Sequence, residues 1–558
     1  MHGSISRSSS SGLSRRRLLA ATGGIGAAAF LAACGGSKES DSSAGAVATQ
    51  APGAAVNASA NAPQAKMGGV LKMGIAAEPQ LLDPHYGYGG NEHAFLYPIF
   101  DQLIAYDNKG QLTPELSLAQ AWEVTDPQRI VLKLRQGVKF SDGPEFTAED
   151  VKWNLERITD PKGTATPKAD LASLESVQVV SKYEAVLKLK EPSAPFLINL
   201  GDRGGMMVSP AAFNKIGKDD FARRPVGSGP FVLKEWLSDA SLTYERNPLY
   251  WRKNAAGQQM PYLQTIRMSI IPETQVQVAS LESGEIDLLP GTPAQDVKRL
   301  NADARFQSAK FVGASTRHWS INHASAPFDN VWFRKAFASA LERKQFIQNF
   351  ETGEEPLANG LLTPASWGHD PSIQNYDYDP AKVREYLQRS GLPQAQWKVK
   401  AIPQGTTMSE AEQYWDEQAR QAGLPIDWLP AERNGRTVRL LVGFGGDGKA
   451  NNGPVGWSLR VDPDGNVGQY YTQEGKYNPG LAPTPETEAL VVRARQIYDQ
   501  AERKKLYSEI QKKAIDQVYS HTLLYYSVSR AHATKKVGNL EAYYGGEGKP
   551  RYGNLWIG

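Results

Sequence analysis

The chain has 558 residues, a formal net charge of +3 and one cysteine, Cys34. A single cysteine excludes an internal disulfide and a zinc site built from cysteines. Residues 1–33 contain four arginines and no acidic residue, so the rest of the chain has a net charge of −1. A nearly neutral chain with charges of both signs is not typical of nucleic-acid-binding proteins. Its length is sufficient for two or three domains.

Residues 1–33 have the pattern of an export signal. Arg15, Arg16 and Arg17 precede an uncharged apolar run over 18–33 that is rich in glycine and alanine, as in a secretory signal peptide. Adjacent arginines at this place are typical of the twin-arginine type of signal. The apolar run has about 16 residues, whereas a membrane-spanning helix requires about 20. We therefore expect a signal peptide rather than a transmembrane anchor.

The end of this run resembles the lipobox of bacterial lipoproteins. Leu31 stands three residues before Cys34, and two glycines follow the cysteine. In lipoproteins the cysteine thiol is acylated and becomes the new N-terminus. The resemblance implies lipidation of Cys34 and an exported, membrane-anchored protein, either periplasmic or at the outer face of the cytoplasmic membrane. The alternative is an ordinary cleaved signal peptide followed by an incidental cysteine.

The segment 34–66 consists mainly of Ala, Ser, Gly, Asn and Pro. Such a composition buries too little apolar surface to offset the entropy of ordering, which predicts a flexible tether.

Beyond the tether, hydrophobic periods of two and of 3.6 residues both occur. Strands are predicted at 69–75, 121–124, 129–135, 176–180, 184–189, 231–236 and 263–271. Helices are predicted at 92–103 (short and interrupted at Pro98), 147–157 (opened by a capping box), 275–283, 331–350, 380–390, 409–422 and 487–518. This mixture, without an internal repeat, predicts an α/β or α+β multidomain fold.

An ordered series of motifs runs through this part of the chain. They are LSLAQAW at 116–122, VKFSDG at 138–143, FTAEDVKW at 146–153, PVGSGPF at 225–231, RNPLYW at 246–251, GEID at 284–287 and FRKA at 333–336. Each motif alone is weak, but the ordered set resembles the family 5 extracellular solute-binding proteins of ABC importers, which include oligopeptide, dipeptide and nickel binders. The resemblance extends from about residue 68 to the C-terminus.

This resemblance implies a mixed α/β fold: a two-lobed clamshell of the periplasmic-binding-protein type II kind with an additional third domain. Lobe I would comprise 67–112, 210–318 and 526–558, the extra domain 113–209, and lobe II 319–525. The solute is held in the cleft between the lobes, which closes as a hinge, and the membrane permease recognises the closed form. The resemblance also implies a monomer without catalytic residues, bound metal or cofactor.

In peptide-binding members of the family, a Gly-Trp pair precedes an acidic residue that binds the ligand's amino group. The matching pair here is Gly456-Trp457, but Arg460 stands at the position of the acid. A guanidinium cannot bind an ammonium group, and it is suited to a carboxylate or phosphate. We therefore expect Trp457 in the site and Arg460 facing an anionic group of the ligand. Two alternatives remain: Arg460 pairs with Asp462 or Asp464, or a shifted register makes Asp462 the amine-binding acid.

Three aromatic residues are further candidates for ligand contact. Tyr86 and Tyr88 lie in the loop after the first strand of lobe I, and ligands of α/β sheets meet such strand-end loops. Trp367, in a Pro-Ala-Ser-Trp-Gly loop of lobe II, is a candidate lid. Tyr470 and Tyr471 are expected to be packing residues.

Other kinds of site have weaker support. The glycine-rich segment 443–450 matches the GxxxxGK and GxGxxG patterns, but residues 451–454 (NNGP) follow it instead of the helix that phosphate binding requires. The chain contains neither HExxH nor GxSxG. Nucleotide binding, a zinc peptidase and a serine hydrolase are therefore not supported.

The sequence favours a lipid-anchored receptor of an ABC importer that binds a peptide or peptide-like solute. Because Arg460 replaces the amine-binding acid, a non-peptide anionic solute, such as an opine or a sugar conjugate, is one alternative. A nickel or haem chelate is another, and a secreted hydrolase with paired carboxylates is the most distant. The expected partners are the solute, the permease and the membrane, but not nucleic acid.

Overall fold

The computed structural model describes residues 65–87, 92–323, 325–401, 403, 408–429, 452–473, 475, 484–519 and 521–558. These residues belong to one compact unit. The signal segment, Cys34, Tyr88 and the glycine-rich segment 443–450 lie outside the described residues. Within the described ranges, no helix has both the length and the apolar character needed to cross a membrane.

The secondary structure alternates between strands and helices along the chain. The described strands are β1 Val70–Ile75, β2 Ala105–Tyr106, β3 Leu112–Thr113, β4 Ala119–Asp126, β5 Arg129–Leu134, β6 Leu174–Ser181, β7 Glu184–Leu189, β8 Phe231–Leu237, β9 Ser241–Arg246, β10 Thr265–Ile270, β11 Leu288–Leu289, β12 Phe306–Ile321, β13 Val399–Ala401, β14 Ile426–Trp428, β15 Asn452–Ser458, β16 His521–Thr534, β17 Val537–Gly538 and β18 Trp556–Ile557. The described helices are α1 His93–Leu96, α2 Ala148–Thr159, α3 Pro195–Asn199, α4 Pro210–Ile216, α5 Lys218–Arg223, α6 Thr274–Ser283, α7 Ala294–Ala302, α8 Val331–Ser339, α9 Arg343–Phe350, α10 Pro380–Ser390, α11 Glu410–Gln421, α12 Asp464–Tyr471, α13 Pro485–Gln496 and α14 Gln500–Gln517.

In the described part of the chain, ten strands form one continuous sheet in the order β14-β13-β15-β12-β16-β11-β1-β10-β9-β8. The two longest strands, β12 and β16, lie near its middle and pair antiparallel. β16 pairs antiparallel with β11 on one side, and β12 pairs antiparallel with β15 on the other. The β12–β16 ladder therefore links the β11-β1-β10-β9-β8 part of the sheet to the β14-β13-β15 part.

The ladder between β12 and β16 is irregular at two places. Its register shifts between Val312 and Thr316 and again between Arg317 and His318. Gly313 lies in the first of these intervals with a φ of +84°, a conformation that strongly favours glycine. The bulge interrupts the hydrogen bonding of the ladder and bends the strand at this point.

The extra domain has its own sheet, with the strand order β4-β5-β7-β6. Helix α2 packs on it and buries Val151 and Leu155 in the same core as Ile130 and Leu187. The predicted capping box forms at the start of this helix, where Asp150 Oδ2 accepts the backbone N–H of Thr147 at 2.8 Å. The box satisfies amide groups that a helix N-terminus otherwise leaves unpaired.

Lobe I and lobe II are built around separate apolar cores. In lobe I, Met73, Leu242 and Ile266 are fully buried beneath the sheet. In lobe II, one core surrounds α8, α9 and α11, and a second surrounds α12, α13 and α14. Hydrophobic stabilisation is thus distributed over units that could move relative to one another at the β12–β16 ladder.

Two helices that the sequence predicts as continuous are each divided in two, and a third is much shorter. The segment 331–350 forms α8 and α9, because the Glu342 side chain accepts the backbone N–H groups of Lys344 and Gln345 and begins a new helix. The segment 487–518 forms α13 and α14, and Asp499 caps the second of them. In the segment 92–103 only α1 is helical, and Pro98 follows it closely. Apolar periodicity alone does not reveal such local capping.

Candidate ligand-binding cleft

The wall of the cleft on lobe II is the segment that follows β15. Trp457 pairs in register with Thr316 of β12, and the Leu459 N–H donates to the Ala314 carbonyl at 2.9 Å. The chain then turns, and Arg460 N–H donates to Asn466 Oδ1 at 3.0 Å. These bonds to β12 and to α12 orient the exposed Arg460 side chain toward the opposite wall.

The opposite wall comes from lobe I and the extra domain. Its lining residues are Tyr97, Tyr106, Asp170, Ile198, Asn199, Asp202, Glu547 and Lys549. Arg460 Nη1 donates to Asp202 Oδ2 at 2.7 Å, so the two walls are joined by an ion pair. The backbone N–H of Ala194 also donates to the Arg495 carbonyl at 2.8 Å. A cavity of about 30 Å³ remains between the walls, which is room for one or two water molecules.

Asp202 is held in place by several donors besides Arg460. Its Oδ1 accepts the Arg203 N–H at 2.8 Å and also the His93 Nε2–H. Burial lowers the pKa of His93 to about 4, against the attraction of Asp202, so the ring is neutral at pH 7 and acts as a donor. Burial by itself would raise the pKa of Asp202, but His93, Arg460 and Arg203 outweigh it and hold that pKa well below its ordinary value. Asp202 is therefore a carboxylate at neutral pH.

Most of the charged side chains at the cleft wall form ion pairs with one another. Glu92 pairs with Arg203 at 2.8 Å, and Glu547 pairs with Arg551. The Lys549 ammonium makes no hydrogen bond and no ion pair with any described residue. Burial lowers the pKa of Lys549, and Arg460 and Arg203 lower it further, against the attraction of Asp202 and Glu547.

Asp462 lies two residues beyond Arg460 but belongs to the interior of lobe II. Both of its oxygens accept from Arg503, at 2.8 and 2.7 Å. Asp464 accepts from Arg495 Nε at 2.8 Å. Although burial disfavours the charge on Arg503, Asp462 raises the pKa of the guanidinium. The two aspartates that the sequence offers as alternative partners of Arg460 thus have other arginines, and Arg460 pairs with Asp202.

The aromatic candidates occupy different surroundings. Trp457 is half-buried and packs edge-on against Tyr470, with ring centroids 5.9 Å apart. Trp367 is half-buried against Tyr507, and Arg503 lies 5.1 Å from its ring. Tyr470 and Tyr471 are buried in a lobe II core.

Tyr86 lies over α2 rather than beside Arg460. Its ring is flanked by two cations, Arg157 at 5.0 Å and Lys218 at 4.4 Å. Tyr88 lies outside the described residues.

A larger cavity of about 760 Å³ adjoins the cleft, and Tyr97 and Tyr106 line both spaces. Its other walls include Tyr250, Arg252 and the C-terminal segment around Tyr544. This volume is within the range of pockets that hold small organic ligands. Among the described residues, no group of three or more His, Cys, Asp or Glu side chains is arranged to hold a metal ion.

Sequence reasoning did not identify the wall that faces Arg460. Asp202 is 258 positions from Arg460, and His93 and Lys549 also lie in separate parts of the chain. None of these residues belongs to a local motif, so the sequence contained no signal that could have brought them together.

Comparison with known proteins identifies the family. The model of the bacterial extracellular solute-binding proteins, family 5, matches residues 113–478. The chain is 26% identical over 470 residues to the probable D,D-dipeptide-binding periplasmic protein DdpA of Escherichia coli K12, covering 80% of this chain and 86% of that protein. It is also 26% identical over 441 residues to the glutathione-binding protein GsiB of Salmonella typhimurium LT2, covering 77% and 84%.

The fold is shared with solved structures. The periplasmic binding protein DppA of Helicobacter pylori, in complex with the peptide STSA, superposes with a TM-score of 0.77 at 23% identity, covering 88% of this chain and 98% of that one. This similarity confirms the predicted mixed α/β clamshell of the periplasmic-binding-protein type II kind. The family model covers well over half of the chain, and the chain therefore belongs to the family 5 bacterial extracellular solute-binding proteins.

Proposed function

We propose that the chain is the substrate-binding component of an ABC importer, and that it captures a peptide or peptide-like solute carrying a carboxylate in the cleft between lobe I and lobe II. The Arg460–Asp202 ion pair is the observation that carries this proposal. It places the Arg460 guanidinium on one wall, and the Lys549 ammonium, which has no ion-pair partner among the described residues, lines the same cavity from the other wall. A ligand carboxylate replaces Asp202 as the acceptor of Arg460.

The movement that admits the solute takes place at the β12–β16 ladder. The two register shifts of the ladder, at 312–316 and 317–318, lie next to the proposed lobe boundary at 318–319, and a break in regular pairing is where a sheet bends most easily. Opening separates Arg460 from Asp202. Closing on the solute forms the surface that the permease recognises, and the solute leaves unaltered.

The names of the relatives agree with a peptide-like solute. One is a probable binder of D,D-dipeptides and another binds glutathione, and both kinds of molecule carry carboxylates. The proposal includes lipidation at Cys34, export through a twin-arginine signal, a monomeric receptor and the lobe boundaries given above. It assigns ligand contact to Trp457, Tyr88 and Trp367, while Tyr86 and Asp462 support the walls.

Mass spectrometry of the solute that co-purifies under native conditions identifies its class. Calorimetry with that solute then compares the wild type with Arg460→Ala, for which we expect a loss of affinity of about tenfold or more, because a charge-assisted bond is removed. Arg493→Ala is the control, since Arg493 pairs with Glu502 on the surface of lobe II. Unchanged affinity in Arg460→Ala would exclude Arg460 from the site, and turnover of the solute would overturn the binding function.

A further inference from the structure

Lys549 lies on the cleft wall without a partner. Its ammonium group makes no hydrogen bond or ion pair with any described residue, although carboxylates are near. The charged groups that face it are Asp202, Glu547, Arg460 and Arg203. Each of the two carboxylates already has an arginine, since Asp202 pairs with Arg460 and Glu547 with Arg551. Among the described residues, the Lys549 ammonium is therefore left without an ion-pair partner, although the Asp170 side chain also lines the cavity.

The backbone that carries Lys549 is held rigidly. The Gly545 N–H donates to the Lys549 carbonyl, and the Gly548 N–H donates to the Gly545 carbonyl, both at 2.8 Å. The turn packs directly on the chain at 107–110, where a Cβ at Gly546 would lie only 2.0 Å from the Gly110 nitrogen. A tight turn anchored in this way presents its side chain at a fixed place, as a binding group requires.

Lys549 and Arg460 lie on opposite walls of the same small cavity. A carboxylate has two oxygens, and each can accept from a different cation. A solute carboxylate placed between these side chains would neutralise Lys549 and at the same time link lobe I to lobe II. Taking the Lys549 ammonium out of water without such an anion is costly.

We propose that Lys549 is a specificity-determining residue that binds, together with Arg460, the carboxylate of the solute, so that the receptor selects solutes with a free carboxylate. This inference rests on the function proposed above. The solute carboxylate replaces Asp202 as the partner of Arg460, and it binds Lys549 as a second partner. Solutes whose carboxyl group is masked as an amide keep their remaining contacts but lose both of these.

The test compares free acids with amides. The probes are a random mixture of di- to pentapeptides and the same mixture with amidated C-termini, offered in competition to the purified receptor and read by native mass spectrometry. We expect the wild type to prefer the acids by about tenfold or more. Lys549→Met should reduce this preference about tenfold while its binding of the amides is unchanged, and Lys549→Arg should retain the preference.

Lys504→Met is the matched control, because Lys504 is an exposed lysine on α14. Melting temperatures of all variants verify that they are folded, and Lys549→Gln replaces any Met variant that is not. Equal binding of acids and amides by the wild type, or an undiminished preference in Lys549→Met, would overturn the role of Lys549 and leave the receptor function standing. Failure to bind either mixture would instead overturn the proposed peptide-binding function, and the role of Lys549 with it.

Discussion

Arg460 and Asp462 are two residues apart, but their ion pairs differ in exposure to solvent. Asp462 and Arg503 are buried, with side-chain exposures of 1% and 4%, and they share two hydrogen bonds within lobe II. Arg460 and Asp202 are 44% and 28% exposed, and one bond joins them across the cleft. The buried pair cannot separate without leaving charges in an apolar core. The cleft pair can separate at little cost, because water solvates both partners.

Within one short segment, the buried pair therefore stabilises the fold and the exposed pair belongs to the proposed binding site. The segment 459–465 is anchored to lobe II by Asp462, and it offers Arg460 to the cleft. A receptor that must open and close requires the first pair to be permanent and the second to be exchangeable.

The largest expected effect comes from breaking the interior pair. Arg503→Met leaves Asp462 buried without its partner, and we expect the free energy of unfolding to fall by about 3–5 kcal/mol. Urea unfolding followed by circular dichroism measures it. Arg460→Met is the matched control and should change this free energy by no more than about 1 kcal/mol. Similar losses in both variants would contradict the distinction between the pairs.

Acidification should also lower the free energy of unfolding through His93 and His318, each by less than Arg503→Met does. Burial lowers the pKa values of His93, beside the cleft pair, and of His318, on β12, to about 4. Between the ordinary pKa near 6.5 and this value the unfolded chain binds more protons than the folded one, so stability falls as the pH falls. Each histidine should cost roughly 2 kcal/mol between pH 7 and pH 5.

Urea unfolding at the two pH values measures this loss, and His318→Asn should reduce it. His93→Asn should reduce it as well, and should also change solute affinity because Asp202 loses a donor. An identical pH profile in wild type and His318→Asn would contradict the buried neutral histidine.

The smallest expected change in free energy comes from breaking the Arg460–Asp202 pair, although the resulting opening of the cleft is a large structural change. Without solute, Arg460→Met should shift the population toward the open form, because a cross-cleft attraction worth about 0.2–1 kcal/mol is removed. Small-angle scattering should show a larger radius of gyration, and 1 M NaCl should have the same effect on the wild type through screening. Arg493→Met, which removes a pair confined to lobe II, should leave the radius unchanged.

Local patterns predicted much of the secondary structure but not the ladder that joins the lobes. The alternating segment 129–135 forms β5, and the capping box at Thr147 begins α2. The two longest strands, β12 and β16, were not predicted, because residues such as Lys310 and Arg317 interrupt the apolar alternation. Each of these strands is defined by its partner, about 200 residues away, rather than by its own pattern.

The residues of the candidate site were likewise predicted only in part. The motif series and the Gly-Trp pair identified the family and placed Arg460 at the cleft, because short motifs carry the local geometry of the turns and strands that contain them. Asp202, its donor His93 and the ammonium of Lys549 come from three distant parts of the chain. The local sequence around a carboxylate or an ammonium group does not indicate which distant residue will be its partner. The order of residues therefore predicted export and identified the family and the fold. The electrostatics that select a solute depend on the tertiary structure, because only folding brings the two walls together.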